Sequence, residues 1–252
     1  MPTVFERYAL PNSYFVDLAS PERRRDYRLF IGGYEPERQH LNPHDVVFVV
    51  DGNWLFPMVT EHIRLLSLFR PVGMDPIVIG VGYPTDDDAA IMERRNQDMA
   101  LTARPGNVEA FSQFVVGLAL SWVERELQLT VRNCYLAGHS WGGSFALFNM
   151  LREASPFSGY VASSPLITGT KLEGLLVGLE DFQNPVRLFY SLGTAEHTAF
   201  PTIESSVAFL TKNLNSNPPK NLEITNEIFP GEDHTSVATH AIAKGIQFLL
   251  SK

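Results

Sequence analysis

Apolar residues gather along this chain in short runs bounded by turn residues, and those runs set its architecture. Seven stand out, at 27–31, 46–50, 77–81, 134–137, 160–162, 186–192 and 222–229. Several are apolar nearly throughout, the pattern of strands covered on both faces of a mostly parallel sheet. Between them lie helical patterns. Val108, Phe111, Val115, Leu118 and Trp122 recur at intervals of 3, 4, 3 and 4, the stripe of a core-facing helix, which assigns Trp122 to packing. Residues 144–151 and 237–250 read as further helices, the second of them terminal. Strands alternating with helices predict an α/β fold, a mostly parallel central sheet flanked by helices, in one domain over 1–252.

Two segments fit those layers poorly. Residues 84–106 follow a strand yet are polar, with Asp86-Asp87-Asp88 and then Arg94-Arg95. Residues 165–184 follow another strand and carry Leu172, Leu175, Leu176, Leu179 and Phe182 at irregular spacing. Both fall on the carboxyl side of a strand, where open α/β sheets place their ligands, so they read as site-lining insertions or a small cap.

Composition narrows the class. The apolar fraction of 44% and charged fraction of 19% describe a globular chain with material for a large core. A net charge of −8, with no basic block longer than Arg23-Arg24-Arg25, argues against a nucleic-acid partner. Cys134 is the sole cysteine; it lies in an apolar run, reads as a buried inert thiol, and permits no intrachain disulfide. The first residues lack the apolar core of a signal peptide, and no apolar stretch reaches membrane-spanning length. A soluble, cytoplasmic protein without a membrane partner is the expectation; oligomeric state is not encoded in any pattern here.

The chemistry centres on Gly138-His139-Ser140-Trp141-Gly142, a G-x-S-x-G pentapeptide between an apolar run and a helical one. Strand, glycine-bracketed serine, helix is the context of a nucleophile elbow. There the glycines let two elements close on a strained turn, and the helix amides point at the oxygen that the serine attacks. A serine hydroxyl needs a base, and in such folds the order is serine, acid, histidine. Among histidines after the serine, His234 lies between the last strand and last helix, where the base belongs; His197 lies earlier and His240 within the helix. Glu196, on the loop after run 186–192, is the candidate orienting acid, expected to be partly solvated on an open loop. Asp233, adjacent to the base in sequence, and no acid at all remain the alternatives. The backbone N–H of Trp141 supplies one oxyanion donor, and the Gly52 turn after run 46–50 a second, unless that glycine marks only a tight turn.

Asp51-Gly52-Asn53, Gly80-Val81-Gly82-Tyr83-Pro84, Arg94-Arg95 with Asp98 and Thr102, Gly138 to Gly143, Ser163-Ser164-Pro165 and Gly231 to Val237 together resemble the esterase D family. Within it they are most similar to the enterochelin-esterase-like branch of siderophore trilactone hydrolases. The resemblance implies an α/β-hydrolase fold and serine ester hydrolysis of a small molecule, with no cofactor and no metal. It implies catalytic Ser140 and His234, and an oxyanion hole at Trp141 and Gly52. Trp141 stands where leucine or a similar residue is more usual. Asn53, Trp54, Arg94 and Arg95, on the loops after the strands, are expected to contact substrate. A serine carboxylesterase working through an acyl-enzyme is the leading expectation. Acyl transfer on the same fold, or a non-catalytic binding protein that keeps the fold, are the alternatives.

Overall fold

The computed structural model describes residues 8–20, 25–38, 43–68, 76–101, 107–177 and 179–251. Eight strands form one sheet: β1 (Ser13–Ser20), β2 (Arg25–Gly32), β3 (His44–Val50), β4 (Ile77–Gly82), β5 (Val131–His139), β6 (Gly159–Ser163), β7 (Val186–Gly193) and β8 (Leu222–Phe229). Their spatial order is β1-β2-β4-β3-β5-β6-β7-β8. From β4 to β8 every neighbour is parallel, while β2 runs antiparallel to both β1 and β4. The seven apolar runs all lie in strands. β1 is the one they miss, because it alternates exposed and half-buried positions and pairs only with β2.

Around the sheet lie α1 (Gly52–Leu68), α2 (Asp88–Met99), α3 (Val108–Gln113), α4 (Leu120–Glu126), α5 (Trp141–Met150), α6 (Lys171–Val177), α7 (Pro201–Ser216) and α8 (Val237–Leu249). Side chains of a strand alternate between faces, so continuous apolar runs feed two cores at once. Val47, Val49, Ala137, Val161 and Phe189 face Val59 and Ile63 of α1 and Ala241, Ile242 and Ile246 of α8. Val46, Phe48, Val50, Leu136, Ala162 and Leu188 face the opposite layer, with Phe111, Phe145, Leu147 and Leu210. This is the α/β arrangement, a mostly parallel sheet flanked by helices, expected from the alternation of runs.

One expected stripe is displaced. A π turn, Phe114–Ala119, joins α3 to α4. A π turn takes up more residues than an α turn, so the buried face advances by one position. Ala119 and Val123 are buried where Leu118 and Trp122 were expected to be, and Trp122 packs only at the core margin.

The two segments expected to be insertions contain helices of the layer itself. In 84–106 the acidic run starts α2: Asp87 Oδ1 accepts from the amides of Ala89 and Ala90, capping the helix. Residues 102–106, with Thr102 of the family motif, lie outside the described residues. In 165–184, α6 buries Leu172 and Leu176 but leaves Leu175 exposed.

Chain order reverses across the sheet at β3, whose neighbours are β4 on one side and β5 on the other. Val49 pairs with Ala137, so the carboxyl ends of β3 and β5 lie side by side. Open α/β sheets hold their ligands at such a switch point. Asp51-Gly52 follows one end, and Ser140 follows the other.

Candidate active site

Ser140 takes φ 58° and ψ −121°, a left-handed conformation that L-residues avoid. Such a backbone stores roughly 1–3 kcal/mol and persists only where its surroundings over-determine it. Here the Ser140 amide donates to the Ser163 carbonyl at 2.9 Å and its own carbonyl accepts from Ser144, also at 2.9 Å. Gly138 is obligatory: a Cβ there would sit 2.3 Å from the Gly142 carbonyl, so no larger residue lets α5 fold back over β5. Ser140 caps α5, leaving the first-turn amides of Trp141 and Gly142 without acceptors in their own helix.

The loop after β7 turns in a 3₁₀ segment, Glu196–Thr198, and carries the Glu196 carboxylate inward. Glu196 is fully buried, contrary to the partly solvated loop position expected of it. Its Oε1 accepts from the Ser164 hydroxyl at 2.6 Å and the Gly193 amide at 2.7 Å. Its Oε2 lies 2.8 Å from Nδ1 of His234, on the turn between β8 and α8. With Oε1 taken by two donors, Oε2 is left to accept from Nδ1–H, which makes Nε2 the free lone pair of the imidazole. Asp233 is differently employed. Its Oδ1 accepts the amides of Thr235 at 2.9 Å and Ser236 at 2.8 Å, opening α8, and those bonds hold its carboxyl below the usual range. That adjacent carboxylate caps a helix and does not face the ring. His240 Nδ1 meets Glu232 at 3.1 Å, and exposed His197 bonds the Thr194 carbonyl at 2.8 Å.

Three residues that the sequence did not single out complete the surroundings of His234. Its ring contacts those of His139, at 4.5 Å between centroids, and Phe200, at 4.4 Å. Ser164, at φ 46°, bends its hydroxyl onto Glu196. The Ser163-Ser164-Pro165 motif after β6 was the available signal for the last; His139 was masked by its place inside the elbow. His139 Nδ1 lies 2.9 Å from the Ser163 hydroxyl, and the ring contact of His234 with His139 brings the base loop to the residue preceding Ser140.

Desolvation, with His234 and Arg95 adding to it, pushes His139 down to about 3. The unfolded chain, near 6.5, therefore holds a proton that the folded chain lacks at intermediate pH. The stability this provides is complete above about 6.5 and lost as pH falls toward 3. Denaturation midpoints of the wild type should fall more steeply between pH 7 and 4.5 than those of His139→Asn. Equal slopes would show that His139 is not held neutral.

Of the residues expected to touch substrate, three are taken up by the fold. Asn53 donates to the carbonyls of Tyr83 and Thr85 and accepts from the Tyr83 amide, tying α1 to the end of β4. Arg94 donates to the Asp26 carbonyl and lies over the rings of Tyr83 and Tyr27, fastening α2 to the antiparallel side of the sheet. Arg95 is buried against Asp51. Trp54 remains 37% exposed in the first turn of α1, its indole donating to Asp88 at 2.8 Å. Trp141 is half-buried and packs on the core margin. Gly52 answers to packing: a Cβ would come within 2.8 Å of the Gly80 and Val81 backbone, so its lack of a side chain lets α1 start against β4. Its amide, first in α1, has no acceptor in its own helix.

Strand, strained serine, helix, and a histidine and glutamate on later loops define an α/β-hydrolase. The sequence profile of the "Putative esterase" family matches residues 21–243, and the chain belongs to that family of carboxylic ester hydrolases. The ferri-bacillibactin esterase BesA of Bacillus subtilis (strain 168) is 24% identical over 96% of this chain and 91% of its own length. The siderophore enterobactin esterase of Emericella nidulans is 26% identical over 81% of this chain and 82% of its own. Among solved structures, the siderophore hydrolase EstA from Aspergillus nidulans superposes with a TM-score of 0.81 at 22% identity, covering 99% of both chains. The BES protein from Bacillus cereus superposes at 0.83 with 21% identity over 100% of this chain and 99% of that one.

Proposed function

We propose that this chain is a serine esterase in which Ser140 attacks the ester carbonyl, His234 moves the proton and Glu196 orients the imidazole. The observation that carries the reading is the 2.8 Å contact between His234 Nδ1 and a buried Glu196 whose other oxygen is already saturated. In that arrangement Nε2 accepts the Ser140 proton as the bond to carbon forms, and gives it to the departing alkoxide. The resulting acyl-enzyme is released by water activated through the same nitrogen. The amides of Trp141 and Gly52 are the donors for the oxyanion, each worth about 3 kcal/mol in the transition state. Small-molecule siderophore esters are the substrate class to test first, because several relatives act on them. Among the described residues no helix is long and apolar enough to cross a membrane.

The kinetic signature tests the mechanism. A fluorogenic aryl ester should release alcohol in a burst equal to the enzyme concentration, followed by slower steady turnover as water removes the acyl group. Iron-free and ferric trilactones offered in the same assay should compete with the aryl ester. A linear time course that stays linear in stopped flow, with no acylated protein on quenching, would exclude an accumulating acyl-enzyme.

A further inference from the structure

One buried ion pair lies between the two loops that flank Ser140 and takes no part in the triad. Arg95 of α2 and Asp51, which precedes α1, are 6% and 4% exposed. Arg95 Nε donates to Asp51 Oδ1 at 2.7 Å and Nη2 to Oδ2 at 3.0 Å. The same Nη2 donates to the carbonyl of His139 at 3.0 Å, the peptide that leads into Ser140. One guanidinium thus joins the Asp51 carboxylate to the peptide carbonyl before Ser140, tying the two chain segments together at the sheet's switch point. Each backbone is left-handed there, with φ 59° at Asp51 and 58° at Ser140. The Asp51 carboxylate also lies against the first turn of α5, since a Cβ on Gly142 would stand 3.1 Å from Oδ2.

We propose that Arg95, acting through Asp51, is a positioning residue for oxyanion stabilisation. It fixes the N-terminus of α1, with the Gly52 amide, against the N-terminus of α5, with the Trp141 amide. The proposal rests on the serine-esterase reading of Ser140. Two amides at the starts of different helices form one donor pair only if their separation is held to a fraction of an ångström, and the turn residues that lead into them, Asp51 and Ser140, are not regular structure. A planar guanidinium with parallel donors sets that separation as a rigid spacer. Lysine keeps the charge but not the fork. Burial of Arg95 keeps it from acting as a contact to substrate.

Kinetics of Arg95→Lys with a p-nitrophenyl ester, beside the binding of an aryl trifluoromethyl ketone, test this. The ketone adds to the serine hydroxyl as a hemiketal whose oxyanion occupies the donor pair. Expected are a fall in kcat of about 30- to 100-fold, KM within about threefold, and loss of ketone affinity by the same factor as kcat. The ascending limb of the pH–kcat profile should stay in place, because the His234–Glu196 contact is untouched. Fluorophosphonate titration counts correctly built sites, so kcat is taken per labelled site. A lower melting temperature with kcat per site unchanged would reduce Arg95 to a structural pair and overturn the proposal. A raised KM with kcat kept would also overturn it. Should the lysine variant not fold, Asp51→Asn preserves shape and weakens the fork; about tenfold lower kcat with a parallel loss of ketone affinity is expected, and unchanged values overturn the proposal. A wild type that neither turns over ester nor binds ketone overturns the esterase reading itself, whereas active wild type beside fully active variants defeats only this inference.

Discussion

Ser140→Ala is expected to lower kcat by about 10⁴- to 10⁶-fold while the fold and the melting temperature stay within about one degree or two of wild type. The hydroxyl is the only group removed, and alanine at φ 58° is no more strained than serine, so the elbow survives. What remains is electrostatic assistance from the amides of α1 and α5, which help any water that attacks the bound ester. His234→Ala should lose activity comparably, and the double variant should be little worse than either single one, because the two groups act as a unit. Strictly additive losses would mean that His234 serves some other purpose.

Glu196→Gln is expected to be the next most damaging change, at about 10³- to 10⁴-fold in kcat with KM nearly constant. Glutamine presents an amide, and if its nitrogen faces Nδ1 the imidazole turns to the tautomer that carries its proton on Nε2. The base then has nothing to accept with. Burial strengthens the expectation: the carboxylate is fully enclosed, so water cannot replace it, and Ser164 and Gly193 leave the side chain little freedom to swing away. Asp233→Asn should lower kcat by less than about threefold, since its carboxylate caps the start of α8. The opposite ranking in kcat would move the orienting role to Asp233.

Much of this was legible along the chain. Seven of the eight strands lie on the apolar runs; the central strands β3 and β4 are buried along nearly their whole length, whereas β8, at the sheet's edge, has no buried residue. β1 escaped because it carries no such run, only a weak alternation from Ser13 to Ser20. The shift from Trp122 to Val123 was not legible: spacing assumes 3.6 residues per turn, and a π turn leaves no mark in a hydrophobic pattern. Ser140, His234 and Glu196 were candidates from chain order and loop placement, which are local properties; the contact of His234 with Glu196 is what the structure adds. Asn53, Arg94 and Arg95 show the limit of that reasoning. A polar residue beside a strand's carboxyl end reads as a ligand contact until its nearest partner is known, and the partners here, Tyr83, Asp26 and Asp51, are 68 residues distant in the case of Arg94. Burial of Glu196 was hidden for the same reason, because the Ser164 hydroxyl that engages it comes from the loop after β6.

The most direct test is peptide mapping of the wild-type protein after stoichiometric reaction with a fluorophosphonate. The expected result is a single adduct on Ser140, formed with one equivalent of reagent and lost in Ser140→Ala. It should form at least about 10²-fold more slowly in His234→Ala, where nothing accepts the serine proton. An adduct on another residue, or a protein left unlabelled at full activity, would contradict the assignment of Ser140 as the nucleophile.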